Sequence, residues 1–200
     1  MAISTVLITI SIIIAAYLVG SISSAVVVSH LMKLPDPRTD GSGNPGATNV
    51  LRLGGKKAAV ITLLGDMLKG LLPVLLVRLY MDAPPIIMAA VALAAFLGHV
   101  YPVLLRFQGG KGVATAFGVI IVITWPTALA ALATWLLVAI TSRYSSLSSL
   151  MAAFLIPIYG GYFTGDLIYT SVVALIGLVI IWRHRSNIRN LIAGTETKIG

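Results

Sequence analysis

Long apolar segments, separated by short polar ones, leave few folds open to this chain. The first covers about 3–32, and six more follow at about 58–80, 86–105, 113–124, 127–141, 149–163 and 167–182. A straight helix needs about 20 apolar residues, within a range of about 17–25, to cross a bilayer. Only 10% of the 200 residues are charged and the mean hydropathy is +1.00, whereas soluble domains carry roughly 25% charged residues. The sequence therefore predicts an all-α integral membrane protein.

Positive charge predicts how these segments cross the membrane. If all seven are spans, every Lys and Arg except Lys69 and Arg78 falls in loops on one side. Basic loops stay cytoplasmic, so we expect a seven-transmembrane-helix bundle with the N-terminus outside, the C-terminus cytoplasmic and several short or broken helices. Joining 113–124 and 127–141 into one kinked span would divide the basic loops between both faces. We expect one domain over 1–200, whose first segment is a retained span and not a signal peptide.

Two absences narrow the chemistry. The chain has no cysteine, which excludes disulfides, thiolate metal sites and a thioester intermediate on the protein. Its six Asp and Glu residues are too few and too scattered for a cluster of oxygen ligands. We therefore expect no metal, no cofactor and no nucleic-acid partner.

Two glycine-rich stretches face the predicted cytoplasmic side. In "GSGNPGATNVLR", Asn44 and Pro45 are typical of an N-cap and a first helical position, and Thr48 and Arg52 then share a face. In "RFQGGKG", Lys111 leads into an apolar helix that begins near Val113. Helix N-termini with such neighbours suit phosphate, although the Walker spacing is missing. The alternatives are a flexible basic loop on anionic headgroups and a tight turn with a snorkelling lysine.

Other polar residues lie at or within the apolar segments. Asp66 and Lys69 are three residues apart in mid-span, where each charge costs about 2.5–3.5 kcal/mol, so we expect a structural ion pair inside the bundle. Ser148 or Ser149 could cap the helix of 149–163. His184 and Asn187 become neighbours if the last span continues as a helix, although a histidine at this boundary is also typical of an ordinary interfacial residue.

Phosphate cradles beside an apolar bundle suit a substrate with a phosphate and an acyl chain, which points to phospholipid synthesis. A transporter of a phosphate ester or other anion is the alternative, because short spans and helix N-termini aimed at anions are also transporter features. The tiny, uncharged external loops and the missing inverted repeat argue against it. A membrane scaffold would not require two phosphate cradles.

At this point the motifs can be compared with known families. "GSGNPGATNVLR", "GHVYPVLLRFQGGKGVATAFG", "SSLSSL" and "RHRSNIRNL…GTETKIG" resemble the bacterial acyl-phosphate:glycerol-3-phosphate acyltransferases, over nearly the whole chain. The resemblance implies a seven-span protein of the bacterial inner membrane, active at its cytoplasmic face among membrane lipids. It also implies acyl phosphate and glycerol 3-phosphate as substrates, and makes the soluble enzyme that produces acyl phosphate a candidate partner.

The resemblance implies roles for two groups of residues in the glycine-rich stretches. Ser42 and Arg52 match positions that hold glycerol 3-phosphate. Thr48 and Lys111 match the cradle of the donor phosphate. The backbone of that cradle comes from Gly109, Gly110 and Gly112. The neighbouring substrate-binding candidates are Gly43, Asn44 and Asn49.

The resemblance extends to the second half of the chain. Ser149 matches a hydroxyl beside the donor phosphate, and His184 and Asn187 match polar groups at the reacting end of the pocket. Lys69 and His99 lie in similar stretches and are expected to bind substrate. The residues expected to take part in catalysis are Ser42, Lys111, His184 and Asn187.

The implied reaction is direct acyl transfer to the 1-hydroxyl of glycerol 3-phosphate, with inorganic phosphate leaving. The proton could go to His184 or to the donor's own phosphate, and the sequence does not choose. Other glycerolipid acyltransferases carry a His-x4-Asp dyad. Here the residues five after each histidine are Pro35, Leu104 and Arg189, so the dyad is missing.

Overall fold

The computed structural model describes residues 2–199, which are helical throughout apart from connecting turns and loops. The helices are α1 (Ala2–Gly20), α2 (Ser24–Leu31), α3 (Ala47–Tyr80), α4 (Pro85–Val100), α5 (Val113–Ile123), α6 (Trp125–Ser142), α7 (Ser145–Thr164), α8 (Leu167–Arg183) and α9 (Arg185–Ile192). A 3-10 turn, Val103–Leu105, follows α4. No strand occurs among the described residues, which confirms the all-α class. The domain predicted over 1–200 includes Met1 and Gly200, which lie outside them.

Within the described chain, five helical segments are long and apolar enough to cross a bilayer: α1, α3, α4 together with the 3-10 turn that follows it (Pro85–Leu105), α6 and α7. A sixth candidate is the pair α8 and α9, which is bent by 56°. α5 is apolar but has only 11 residues, fewer than the about 17 that a straight span requires. An integral membrane protein is thus confirmed, and the count of seven and the orientation remain predictions.

The first apolar segment, expected as one span over 3–32, consists of two helices. α1 ends at Gly20 and α2 begins at Ser24. Ser23 is the N-cap of α2, and its hydroxyl accepts a hydrogen bond from Val26 N at 3.4 Å. A serine that offers the backbone a local acceptor favours a new helix start over continuation of the old helix.

α3 is interrupted at Gly55, where φ is +75° and ψ is −174°. A residue with a Cβ rarely adopts this conformation, so the break coincides with glycine. Residues 47–54 therefore form a separate helical segment, and the segment after the break contains the predicted span of 58–80. The predicted cap at Asn44 is wrong by two residues, because Gly46 has extended backbone angles and its carbonyl accepts the first helical bonds.

The surface of α3 shows which face meets lipid. Leu63, Leu72 and Leu76 are exposed, whereas Thr62 and Asp66 are buried. Apolar side chains outside and polar ones inside are the reverse of a soluble helix, and they fit a helix surrounded by hydrocarbon.

The chain divides into two compact units, one ending at Val122 and the other beginning at Ile123. In the first, α1 packs against α4 through glycines: a Cβ on Gly20 would overlap the Ala95 carbonyl, and one on Gly98 the Tyr17 carbonyl. In the second, a Cβ on Gly177 of α8 would overlap the Ala153 carbonyl of α7. Small residues at such contacts let membrane helices approach closely.

We predict that Gly98→Ala lowers the free energy of unfolding by about 1–3 kcal/mol, because the new methyl group forces α1 and α4 apart. Thermal unfolding in detergent measures the change. Gly161→Ala is the matched control, since a Cβ there lies an ordinary 3.7 Å from its nearest neighbour, Thr170. Equal losses in both variants would contradict the close-packing argument.

Candidate active site

Asn49 shapes the loop that precedes α3. Its amide nitrogen donates to Pro37 O and Asp40 O, each at 2.9 Å, and its Oδ1 accepts from Ser42 N, also at 2.9 Å. The residue is 1% exposed, so its hydrogen bonds are made away from solvent. These bonds give Asn49 a role in positioning Ser42, beside the substrate-binding role predicted for it.

An ion pair neutralises part of the loop's positive charge. Asp36 accepts from Arg38 N at 2.9 Å and from Arg38 Nη2 at 2.6 Å. The guanidinium hydrogen bond holds the pKa of Asp36 below its usual value. The pair therefore persists to a lower pH than an isolated aspartate would allow, and it is lost as pH falls through the lowered pKa. Arg38 is thereby engaged within its own loop.

The substrate-binding residues predicted in the first glycine-rich stretch lie together around this loop. Thr48 and Arg52 occupy successive turns of the 47–54 segment and are both exposed, as are Ser42 and Gly43. Asn44 is half-buried. The expected shared face of Thr48 and Arg52 is therefore present on a short helix before the break in α3.

The second glycine-rich loop is packed onto the end of α4. Gly110 N donates to His99 O at 3.2 Å, and a Cβ on Gly109 would overlap the carbonyls of His99 and Val100. Gly112 has a φ of +86° and lies against the Phe96 ring, so both its conformation and its surroundings favour glycine. α5 then begins at Val113, as predicted, directly after the half-buried Lys111.

The two glycine-rich loops are in contact. A Cβ built on Gly110 would lie 2.9 Å from Pro45 O, which leaves room for a glycine and nothing larger. Both predicted phosphate cradles therefore occupy one place in the first unit. Their separation in sequence gave no sign of this contact.

Buried charges lie next to this contact. Lys69 Nζ is 2.8 Å from Asp66 Oδ1 and donates to Ile22 O at 2.6 Å, which confirms the predicted pair. His99 Nδ1, from α4, lies 3.6 Å from the same Asp66 oxygen. A carboxylate beside a histidine is thus present, although the two residues are far apart in sequence and lack the dyad spacing.

In the second unit, Ser149 lies one turn inside α7. Its hydroxyl donates to Ser145 O at 2.9 Å and accepts from Trp135 Nε1 at 3.1 Å. Ser148 likewise donates to Tyr144 O at 2.8 Å. The predicted cap at Ser148 or Ser149 is wrong, because α7 begins at Ser145 and both hydroxyls bond to carbonyls of the preceding turn.

His184 stands at the bend between α8 and α9 and is 3% exposed. The span therefore does not continue as one straight helix through His184 and Asn187. Its Nδ1 is 2.8 Å from Ile180 O, and because a carbonyl only accepts, this nitrogen carries the proton. In the neutral ring, Nε2 is then the nitrogen with the lone pair, as a proton acceptor requires.

Glu196 is a polar residue that the sequence reasoning missed. Its Oε1 accepts from Asn187 Nδ2 and from Ser146 Oγ, each at 2.7 Å. The carboxylate therefore ties the C-terminal segment to α7 and fixes the amide of a predicted site residue. The available signal was that Glu196 is the one acidic residue after Asp166 in the sequence.

Together, the apolar helices and the contacting glycine-rich loops define an integral membrane protein with a candidate site for phosphate groups. Residues 10–194 match the family model described as glycerol-3-phosphate acyltransferase. The chain belongs to this family, which confirms the resemblance that its motifs indicated.

Relatives of known name and structure agree with this assignment. A glycerol-3-phosphate acyltransferase of Thioalkalivibrio sulfidiphilus is 58% identical over 190 residues, 95% of this chain and 93% of the relative. The glycerol 3-phosphate form of PlsY, an integral membrane glycerol 3-phosphate acyltransferase, has a TM-score of 0.89 at 39% identity, with 96% of each chain covered. Its lysphosphatidic acid form has a TM-score of 0.86 at 38% identity, covering 96% of this chain and 95% of that one.

We predict that Asn49→Leu releases the loop, because it leaves three backbone groups of 37–42 without their partner, at a cost of about 1–3 kcal/mol for each one that stays buried. Amide hydrogen exchange over 37–42 should accelerate. The exposed Asn190→Leu is the control and should leave that exchange unchanged. Unaltered exchange in Asn49→Leu would show that the loop is held by other contacts.

Proposed function

We propose that the chain transfers a fatty acyl group from acyl phosphate to the 1-hydroxyl of glycerol 3-phosphate. The products are 1-acyl-glycerol-3-phosphate and inorganic phosphate. Membership of the family and the similarity to both forms of PlsY support the acceptor and the product. The observation that supports acyl phosphate as the donor is the contact of the two loops at Pro45 and Gly110, since two phosphate-bearing substrates need two sets of anion-binding groups.

The residues of the first unit would bind and orient these anions. Arg52 suits bidentate binding of the acceptor phosphate, with the Ser42 hydroxyl beside it. Thr48, Lys111 and the backbone of 109–112 would hold the donor phosphate and screen the repulsion between the two substrates. Phosphate is a good leaving group, so positioning and charge neutralisation supply most of the catalysis.

The transfer itself forms one bond and breaks one. The 1-hydroxyl oxygen attacks the carbonyl carbon of the donor, and the bond from that carbon to the phosphate oxygen breaks. The hydroxyl proton passes to Nε2 of His184 or to the departing phosphate. Asn187, held by Glu196, and Ser149 would contribute polar contacts to the reacting groups.

The site would face the cytoplasm from the bacterial inner membrane. The basic loops support this orientation through the positive-inside rule. The donor would then arrive from the cytoplasmic side, where the enzyme that makes acyl phosphate is a candidate partner. The acyl product is suited to remain among membrane lipids.

We predict acceptor-dependent release of inorganic phosphate when detergent-purified protein is given palmitoyl phosphate and glycerol 3-phosphate. Lys111→Ala should lower this rate about 100-fold, because it removes a fixed cation from the donor phosphate. Lys57→Ala removes an exposed lysine of α3, just after the break at Gly55; it is the control and should keep wild-type activity. Absence of release from folded wild-type protein would contradict the proposal and call for anion flux assays in liposomes.

If His184 accepts the proton, His184→Ala should lower kcat by about 100-fold or more. It should also remove the loss of activity on the acidic side of the pH–rate profile, since no imidazole then needs to be neutral. The profile is measured with both substrates saturating. A modest loss of kcat with an unchanged profile would assign the proton to the donor's phosphate.

A further inference from the structure

A buried row of polar groups crosses the first unit, from the α1–α2 connection to the second glycine-rich loop. It runs from Ile22 O through Lys69 and Asp66 to His99, with separations of 2.6, 2.8 and 3.6 Å. Lys69, Asp66 and His99 are 7%, 2% and 6% exposed. Charges this deep in an apolar bundle are costly and are typical of functional sites.

The ion pair with Lys69 accounts for only part of the geometry at Asp66. Lys69 lies one helical turn after Asp66 on α3, and this i,i+3 spacing is enough for the two charges to neutralise each other. The carboxylate oxygen is nevertheless shared with an imidazole from a different helix. A pair that served charge balance alone would not explain this second contact.

His99 reaches from Asp66 to the place where the two loops meet. Its Nδ1 faces the carboxylate, and the Nε2–Cε1 edge of the ring lies against Gly110, where a Cβ would overlap Nε2 and stand 2.8 Å from Cε1 and 2.9 Å from Pro45 O. The 3.6 Å separation is too long for a hydrogen bond, so the carboxylate acts on the ring electrostatically and favours the orientation in which Nδ1 faces it. The imidazole of His99 therefore packs directly against Gly110.

Asp66 is also connected to the far side of the same loop. Its backbone carbonyl accepts from the Thr115 hydroxyl at 2.9 Å, a buried bond. Thr115 lies in the first turn of α5, directly after the loop, and His99 lies at the end of α4, before it. One residue of α3 therefore contacts both helices that flank residues 106–112.

We propose that Asp66 is a positioning residue for the donor-phosphate site. Its carboxylate orients His99, and His99 fixes Gly110 and the loop of 109–112 in the shape that receives the phosphate of the acyl donor. Lys69 balances the charge of the carboxylate and attaches it to Ile22 O. This inference rests on the proposed function and adds to it the group that sets the affinity for acyl phosphate.

Three variants separate positioning from charge balance. Asp66→Asn removes the carboxylate, and Asp66→Asn combined with Lys69→Met removes both charges, so that no unpaired ammonium remains. His99→Asn keeps a donor near Asp66 and deletes the ring edge at Gly110. The control is Arg78→Gln, which removes an exposed cation at the far end of α3 that donates to Val122 O.

Each protein is assayed for kcat, for KM with palmitoyl phosphate and with glycerol 3-phosphate, and for thermal unfolding in detergent. We expect all three variants to raise the KM for palmitoyl phosphate about tenfold or more. The KM for glycerol 3-phosphate should stay within about twofold, as should both constants in Arg78→Gln. The unfolding temperature of the protein with both Asp66→Asn and Lys69→Met should be closer to wild type than that of Asp66→Asn alone, because no unpaired buried charge remains.

Wild-type donor KM in the doubly substituted protein would overturn the proposal, because charge balance alone would then explain Asp66. Wild-type donor KM in His99→Asn would overturn it as well, even if the Asp66 variants fail to fold. Variants that lower kcat and leave the donor KM unchanged would also overturn the proposal. An equal rise of the donor KM in Arg78→Gln would overturn it too.

Hydrogen exchange keeps the test independent of the proposed function. If wild-type protein releases no phosphate from acyl phosphate, the proposed function fails and the loop can still be examined. Faster amide exchange over 109–112 in Asp66→Asn and His99→Asn, but not in Arg78→Gln, supports the positioning role. Unchanged exchange in those variants contradicts it.

Discussion

Charge inside an apolar bundle is the constraint on which the first unit depends. Asp66 and Lys69 each cost about 2.5–3.5 kcal/mol at the centre of a membrane helix unless they face protein. Their burial sets the rotation of α3 about its own axis, with Leu63 and Leu72 outward. That rotation in turn brings the carboxylate to His99 of α4 and the backbone of α3 to Thr115 of α5.

The loops above these helices are held by side chains and packing before any substrate binds. Asn49 uses its amide on three backbone groups of the preceding loop, and the 109–112 loop rests on carbonyls at the end of α4. Groups fixed in this way need little reorganisation when charge arrives, which is the condition for electrostatic catalysis. The abundance of glycine therefore serves close contact here, in addition to flexibility.

Features that depend on neighbouring residues could be predicted from the sequence. The apolar helices, the start of α5 at Val113 and the pair of Asp66 and Lys69 are all encoded within a few residues. The partners of Asn49, His99 and Glu196 could not be predicted, because tertiary contacts bring them together across longer stretches of chain. The cap expected at Asn44 was wrong by two residues: Gly46 is the N-cap, and Pro45, whose carbonyl contacts Gly110 of the second loop, lies outside the helix.

The break at Gly55 divides α3 into a short segment, 47–54, and a long membrane-embedded segment that carries Asp66 and Lys69. A rigid rod that carried both the proposed phosphate-binding residues of 47–54 and the buried charges beyond the break would pass every tilt or rotation from one to the other. The left-handed glycine between them interrupts that rod, so the direction of the 47–54 segment is independent of the direction in which the membrane-embedded part runs.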